Sequence, residues 1–384
     1  MSRFHAYIKT ANTLVNTYDG KSPLGFHLKT FFASHKKMGS TDRKTIAHIC
    51  YCYYRCYFLL NQFSIEEQMI NAVYLCNSSF GIFLQHIAVS LNETVNLPLD
   101  KKLEILKLDK EKIFPYQLML GSEINNNEFF NSLLTQPDLF IRLRPGQQES
   151  VLDKLTSNSI QFSQEGTCVR MPNNTQLNGL IKLNAEAVIQ DYNSQKVLDF
   201  LDEWSFETTK VSAWDCCAAS GGKAILLVDK WKNIQLTVSD IRKNILVSLQ
   251  QRLQQASVQV AEMFVADLTR PVESEKQFDL ILADMPCTGS GTWARTPEQM
   301  VFFKKKMLNE YATKQQQIAA NVLHALVPGG LFFYITCSVF AAENEEQVEA
   351  LAKKYPVEIL LTKYLHGYNK KADTLFVAVF KKTG

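Results

Sequence analysis

The stretch Val211-Ser212-Ala213-Trp214-Asp215-Cys216-Cys217-Ala218-Ala219-Ser220-Gly221-Gly222-Lys223 decides how the C-terminal half of this chain folds. Its first five residues are a mostly apolar run closed by a carboxylate, the pattern of a buried strand. Gly221-Gly222 lets the backbone approach a neighbour or ligand without a Cβ in the way. From Lys223 to Trp231 the spacing is helical. Strand, glycine turn and helix make the first unit of an α/β fold, in which ligands sit outside the carboxyl ends of the strands.

Downstream the alternation repeats. Residues 235–240 read as a strand and 241–255 as a helix, followed by strands at 258–267 and Phe278–Asp284, a helix reaching Val327, and a strand at 330–337. Short connections between alternating elements predict a doubly wound, mostly parallel sheet. The runs 358–361 and 374–380 complete it, the last as an antiparallel edge strand. The catalytic α/β domain is therefore expected over 185–384.

Upstream the texture changes twice. Residues 114–184 read as a small α+β module, with a helix at 127–134, a strand over Leu139–Leu143, a helix at 151–155 and a strand at 166–171. On the first of these strands Arg142 and Arg144 share a face, an arrangement suited to phosphate. Residues 1–113 read as all-helical: Phe4, Tyr7, Ile8, Ala11, Leu14, Val15 and Tyr18 form an apolar stripe. Ser40 or Thr41 is expected to cap a helix and leave Arg43 and Lys44 exposed in its first turn.

Charge points to a polyanion partner. The net charge of the 384 residues is only +3, yet residues 1–60 hold nine Lys/Arg against two Asp/Glu, or +7, leaving −4 for the rest. A basic end suits RNA, because phosphate contacts supply much of nucleic-acid affinity, although a solvated basic face has the same composition. The chain is 46% hydrophobic and no apolar stretch reaches the roughly 18 residues that a bilayer crossing needs. Met1 to His5 lack the apolar core of a signal peptide. A cytoplasmic monomer with free thiols is expected. Cys50, Cys52 and Cys56 read as core packing, since C-x-C-x3-C is not a zinc spacing, and no metal is expected.

The loop after Asp215 lacks both G-x-x-x-x-G-K-S/T and G-x-G-x-x-G, which disfavours phosphate binding there. Asp240, Asp267 and Asp284 end three further strands. Carboxylates at successive strand ends accept hydrogen bonds from hydroxyls, amines and ammonium groups and repel pyrophosphate. S-adenosylmethionine, with a sulfonium, an ammonium and a ribose diol, meets that demand. One such aspartate only caps a helix, as Asp240 does for the segment from Ile241, but four in register beside Gly-Gly favour a cofactor.

Two cysteine motifs complete the site: Asp284-Met285-Pro286-Cys287-Thr288-Gly289, and Thr336-Cys337-Ser338 followed by Glu343-Asn344-Glu345. Each lies at a strand end, so the fold sets two thiols side by side. A thiol beside a methyl donor has a specific use at the unactivated carbon 5 of a pyrimidine. Thiolate addition to C6 makes C5 nucleophilic, and loss of the C5 proton after methylation permits elimination of sulfur. Asp284 is placed to support the base at N3 and N4. Cys216 and Cys217 read as packing residues of the cofactor loop. Lys223 is either a helix-start residue or an active-site charge that lowers a nearby thiol pKa or contacts phosphate.

These motifs resemble the Sun/RsmB/Nop2-type RNA 5-methylcytosine methyltransferases, whose signatures are D-x-C-A-A-P-G-G-K, D-x-P-C-S-G-x-G and T-C-S followed by E-N-E. Gln190-Asp191-Tyr192-Asn193-Ser194-Gln195 is similar to the family's Q-D-x-x-S-Q segment, and Phe140 to Arg144 to its RNA-facing module. The helical third more weakly resembles a NusB-like RNA-binding domain. The resemblance implies that Cys337 attacks C6 and Cys287 assists product release. It implies that Asp240 and Asp267 bind the ribose and adenine ends of S-adenosylmethionine, with Asp215, Cys217, Ala218, Ala219, Ser220, Gly221, Gly222 and Lys223 around its methionine part. Ser220 stands where the family has proline, Thr288 where it has serine, and Ala185 where glycine is common. The expected substrate is RNA, ribosomal rather than transfer RNA by domain order. Competing readings are a non-catalytic RNA-binding assembly factor on the same fold and, with less support from the paired thiols, a small-molecule or protein methyltransferase.

Overall fold

The computed structural model describes residues 3–79, 81–206, 210–271 and 276–384; Met1 and Ser2 lie outside them. The chain forms two compact units. One contains the described residues of Met1–Met119 together with Asn125–Gln136 and Thr292–Lys304, and the other contains Leu120–Ile124, Pro137–Gly291 and Lys305–Gly384.

The first unit is helical: α1 (Arg3–Thr17), α2 (Leu24–Ser34), α3 (Ser40–Arg55), α4 (Ile65–Cys76), α5 (Ile82–Ile87), α6 (Val89–Glu93), α7 (Leu99–Leu106) and α8 (Asn126–Leu133). The stripe read on α1 is the face it buries, with Tyr7, Ile8, Ala11, Leu14 and Val15 inside. Ser64 and Glu67 form a reciprocal capping box at the start of α4. At α3 the cap is Gly39, not Ser40 or Thr41: its N–H donates to Asp42 Oδ2 at 2.9 Å, so the first-turn carboxylate satisfies the helix end. Lys44 is exposed, whereas Arg43 is partly buried and its Nε donates to the Met38 carbonyl at 2.9 Å. Cys50, Cys52 and Cys56 are fully buried.

Residues 114–119, 125–136 and 292–304 belong to this helical unit although they flank or interrupt the α/β segments in sequence. The reason is aromatic burial. Trp293 and Phe303 pack on Phe114 and Tyr116, with ring centroids 5.0–6.3 Å apart.

The second unit holds two sheets. The smaller has the antiparallel order β2-β3-β1-β4, formed by β1 (Leu139–Leu143), β2 (Ser163–Glu165), β3 (Cys168–Met171) and β4 (Ala187–Ile189), with α9 (Gln148–Ser157) after β1. The run read as one strand at 166–171 is the second arm of a hairpin turning at Gly166, where φ is +58°.

The larger sheet has the order β10-β11-β9-β8-β5-β6-β7. Its strands are β5 (Val211–Asp215), β6 (Ile234–Asp240), β7 (Glu262–Val265), β8 (Phe278–Asp284), β9 (Leu326–Thr336), β10 (Val357–Leu365) and β11 (Leu375–Lys382). Strands β5 to β9 pair in parallel, and β10 and β11 add antiparallel. Helices α10 (Gly222–Lys230) and α11 (Lys243–Gln255) follow β5 and β6. Another helical pair, α12 (Pro297–Phe302) in the first unit and α13 (Lys305–His324) in the second, precedes β9, and α14 (Glu345–Lys354) precedes β10. This is the expected doubly wound, mostly parallel α/β sheet, Rossmann-like. No described helix is long and apolar enough to cross a membrane.

One sheet assignment is corrected. The last strand, β11, is internal, and β10 forms the edge. Burial explains it: Leu375 to Phe380 are buried on both faces, as an internal strand must be, while β10 leaves alternate stretches open to solvent.

Candidate active site

The carboxyl ends of β5, β6, β8 and β9 converge because the parallel register sets Asp215 against Leu282 and Asp284 against Ile335. Past these ends the chain carries the chemistry. The Cys287 and Cys337 sulfurs lie 3.4 Å apart. Two backbone bonds hold the Cys287 loop to the end of β9: Met285 N donates to Ile335 O at 2.8 Å and Gly291 N to Cys337 O at 2.9 Å. Gly291 has no room for a side chain, since a Cβ there would stand 2.0 Å from the Thr374 carbonyl oxygen and 3.0 Å from that of Cys337.

A buried polar frame fixes both thiol segments. Glu343 accepts from Thr288 N at 2.9 Å and from Thr288 Oγ1 at 2.5 Å. Asn344 accepts from Thr336 Oγ1 at 2.6 Å and donates to the Ser338 carbonyl at 2.9 Å. Ser290 Oγ accepts from Val339 N at 2.9 Å. Burial raises the Glu343 pKa against the opposing hydrogen bonds. The proton shared with Cys337 and the loss of water together push the Cys287 thiol well above its ordinary value.

Lys223 begins α10 beneath the thiols, and its ammonium lies 2.6 Å from Asp284 Oδ2. Burial disfavours that ammonium, but the charges of Asp284, Cys337 and Asp215 more than offset it, and the Lys223 pKa is raised. Asp215 is 1% exposed, and burial, reinforced by the nearby Asp284 charge, pushes its carboxyl up to about 8. Gly221 is required at the turn: φ is +81°, and a Cβ would meet Leu249 Cδ1 at 2.2 Å.

Beside the thiols lies a cavity of about 650 Å³. Cys216, Cys217, Ala219, Asp240, Asp267 and Asp284 line it, so the acidic ends of β6 and β8 and a carboxylate two residues past β7, which stops at Val265 and not at Asp267, face one space. Ala218, Ser220, Gly221, Gly222 and Lys223 do not line that cavity; Ser220 is exposed and its carbonyl accepts from Arg252 Nη1 at 2.8 Å. Arg242 grips Asp240 from Nε at 3.0 Å and Nη2 at 3.1 Å, and these bonds hold the Asp240 pKa low despite burial. Asp240 Oδ2 also accepts from Ala219 N at 3.0 Å, coupling the loop after β5 to the end of β6. Asp267 is held by Thr269, whose Oγ1 donates at 2.6 Å.

Arg142 and Arg144 are not phosphate contacts. Both guanidiniums pair with Asp229 of α10, Arg144 at 2.6 Å, and the side chains of Arg142 and Asp229 are 4% and 7% exposed. Their shared face is real, but it clamps the small sheet to the large one. Gln190 belongs to the same clamp, accepting from Arg142 Nε at 2.9 Å. Within its segment, Asn193 donates to the carbonyls of Leu365 at 2.9 Å and Asp373 at 2.7 Å.

Arg242, Tyr311, Lys314 and Gln315 escaped the sequence reading. Gln315 Nε2 donates to the Pro286 carbonyl at 2.9 Å and to Glu343 at 3.2 Å. Its signal was a polar residue on the buried stripe Leu308, Gln315, Ile318 and Val322. Arg242 had only its place two residues after Asp240.

The family described as "16S rRNA methyltransferase RsmB/F" matches residues 207–377. "Ribosomal RNA small subunit methyltransferase B" of Yersinia pseudotuberculosis serotype O:1b (strain IP 31758) is 30% identical over 170 residues, which is 44% of this chain and 38% of that protein; the Yersinia pestis protein of that name matches equally. The chain thus aligns with well under half the length of these curated relatives. Among solved structures, that titled PH0851 shares the fold over 99% of this chain and 98% of its own, with TM-score 0.72 at 18% identity. A methyltransferase homologue from Pyrococcus horikoshii shares it over 73% of this chain and 98% of its own, with TM-score 0.59 at 20% identity. NSun6 from Pyrococcus horikoshii, determined with SFG, shares it over 70% and 97%, with TM-score 0.59 at 13% identity. Residues 207–377 are thus similar to the RsmB/F methyltransferase family, and the chain as a whole shares the fold of these solved structures.

Proposed function

We propose that the protein transfers a methyl group from S-adenosylmethionine to carbon 5 of a cytosine in RNA, and that it does so in the cytoplasm. The observation that supports this most directly is the 3.4 Å separation of the Cys287 and Cys337 sulfurs, with Pro286, next to Cys287, in the wall of a cavity that Asp240, Asp267 and Asp284 also line. Asp240, Asp267 and Asp284 offer acceptors to the hydroxyls, amine and ammonium of such a cofactor, which supplies the electrophilic methyl group when bound.

The protein's own residues account for the remaining steps. Cys337, as thiolate, bonds to C6 of the cytosine, and electron density moves to C5. Asp284, held by Lys223, accepts hydrogen bonds from the base and keeps it in place. After C5 takes the methyl group it loses its proton, the C5–C6 double bond re-forms, and the sulfur of Cys337 leaves as thiolate. Cys287, in contact with that sulfur, assists this release. Lys223 supplies a positive charge beside Asp284 and Cys337.

Small-subunit ribosomal RNA is the favoured substrate over transfer RNA, because the curated relatives carry that name. The helical unit serves RNA binding in this reading, with Lys44 exposed for phosphate and Arg43 beside it. The test is a labelled-cofactor assay on ribosomal RNA from cells lacking the protein, with bisulfite sequencing of the product. Label at one cytosine C5 is expected. Tight RNA binding with no transfer would replace this reading with that of an assembly factor.

A further inference from the structure

Helix α13 runs along the cavity and carries Tyr311, Lys314 and Ile318 into its wall. Gln315 fixes the helix there. It donates to the Pro286 carbonyl and to Glu343, and its Oε1 accepts from Tyr334 Oη at 3.0 Å. Pro286 adjoins Cys287, and Glu343 holds the Thr288 backbone, so this one side chain ties α13 to the thiol loop. Tyr311 lies one helical turn away on the same face.

Tyr311 is half-buried. Burial raises its phenol pKa, and the neighbouring Cys287, Glu343, Glu310 and Cys337 groups raise it further. The exposed Lys314 ammonium stands 5.5 Å from the centre of that ring. The surrounding charged wall is largely acidic, with Asp240, Asp267 and Asp284. A cation on an aromatic face at the edge of an acidic cavity answers to a ligand with one flat ring and one negative group.

We propose that Tyr311 and Lys314 together hold the target nucleotide, the ring packing on the face of the unstacked pyrimidine and the ammonium pairing with its phosphate. The proposal rests on the methyltransferase reading above. A base inside a helix cannot present C5 and C6 to both thiol and methyl donor, so it must leave its stack, and an aromatic side chain replaces the lost stacking. The wall that Tyr311 shares with Asp284 and Pro286, the residue before Cys287, is the place for such a ring. Acidic neighbours repel a phosphate, and Lys314 offsets that repulsion.

The full chain and its Tyr311→Leu, Tyr311→Phe and Lys314→Ala variants test this with ribosomal RNA from cells lacking the protein. Steady-state transfer, S-adenosylhomocysteine affinity by calorimetry, and salt-dependent RNA binding are measured, with melting temperature as the check on folding. Tyr311→Leu is expected to lower kcat/KM for RNA by about 10- to 100-fold while changing S-adenosylhomocysteine affinity less than about threefold. Tyr311→Phe, which keeps the ring, is expected to recover most of that loss. Lys314→Ala is expected to reduce the slope of log affinity against log salt by about 0.7, the loss of one single-strand phosphate contact. Loss in Tyr311→Phe equal to that in Tyr311→Leu, a parallel loss of S-adenosylhomocysteine binding, or an unchanged salt slope would overturn the proposal. Turnover by wild type with an unaffected Tyr311→Leu sinks this inference alone, whereas a wild-type protein without turnover removes the methyltransferase reading and this inference with it.

Discussion

The sulfurs of Cys287 and Cys337, separated by fifty residues of chain, lie 3.4 Å apart. Neither strand end achieves this alone. The parallel register of β8 and β9 brings the segments together, Gly291 lets the loop close against the Cys337 carbonyl, and Glu343 and Asn344 hold one segment each.

A division of labour between the two thiols has a direct signature. Cys337→Ala is expected to lower methyl transfer by at least about a thousandfold and to form no covalent complex. Cys287→Ala is expected to accumulate an RNA adduct that survives a denaturing gel. Adduct formation by Cys337→Ala, or its absence in both variants with transfer intact, would reject the assignment.

Gly291→Ala tests how finely the pair must be placed. The added methyl collides with the Thr374 and Cys337 carbonyls, so Cys337 must shift. A displacement near 1 Å costs about 100-fold in rate. The expected outcome is a kcat reduced by about 10- to 100-fold with far-ultraviolet circular dichroism unchanged; wild-type kcat would show that the loop yields without moving the sulfur.

Asp215 makes stability depend on pH. Its carboxyl titrates near 8 in the folded protein against 3.8 ordinarily. Between these values the folded protein keeps a proton that the unfolded chain gives up, so stability falls as pH rises through this window. The slope reaches at most about 1.4 kcal/mol per pH unit. Asp215→Asn removes this dependence and is expected to gain most over wild type near pH 8 in denaturant melts. Parallel curves for the two proteins across pH 4–8 would contradict it.

Asp229 anchors two guanidiniums in a nearly dry site. Asp229→Ala leaves both unpaired and is expected to cost about 3–5 kcal/mol, a fall in Tm of roughly 10 °C. Its effect on RNA affinity should be small at temperatures where the variant is folded. A variant with wild-type Tm and weakened RNA binding would return Arg142 and Arg144 to the phosphate-contact reading.

Much of the α/β unit was legible because buried parallel strands are continuous apolar runs with little ambiguity of period. Val211–Asp215 and Phe278–Asp284 have the bounds read from sequence. Asp240 and Asp284, which face the cavity, were legible for the same reason, since they close β6 and β8, whereas Asp267 stands two residues past the end of β7. Arg142 and Arg144 were misread because their partner is 85 or more residues away, and alternation on a strand says which face a residue takes but not what covers it. Gln315 was missed because a polar residue on a helical stripe has no meaning until its neighbours are known.

By itself, then, the sequence determined the class of the sheet, the strand ends at or beside Asp215, Asp240, Asp284 and Cys337, and the family that residues 207–377 resemble. These are local properties, set by hydrophobic period, turn residues and short motifs. Only the tertiary structure decided that β11 lies inside the sheet, that two arginines serve a buried clamp, and that Tyr311 and Lys314 line one cavity with Asp240, Asp267 and Asp284. Each depends on groups distant in the chain competing for one partner or one place. Burial and charge pairing settle that competition across the whole fold, and no window of sequence contains both sides of it.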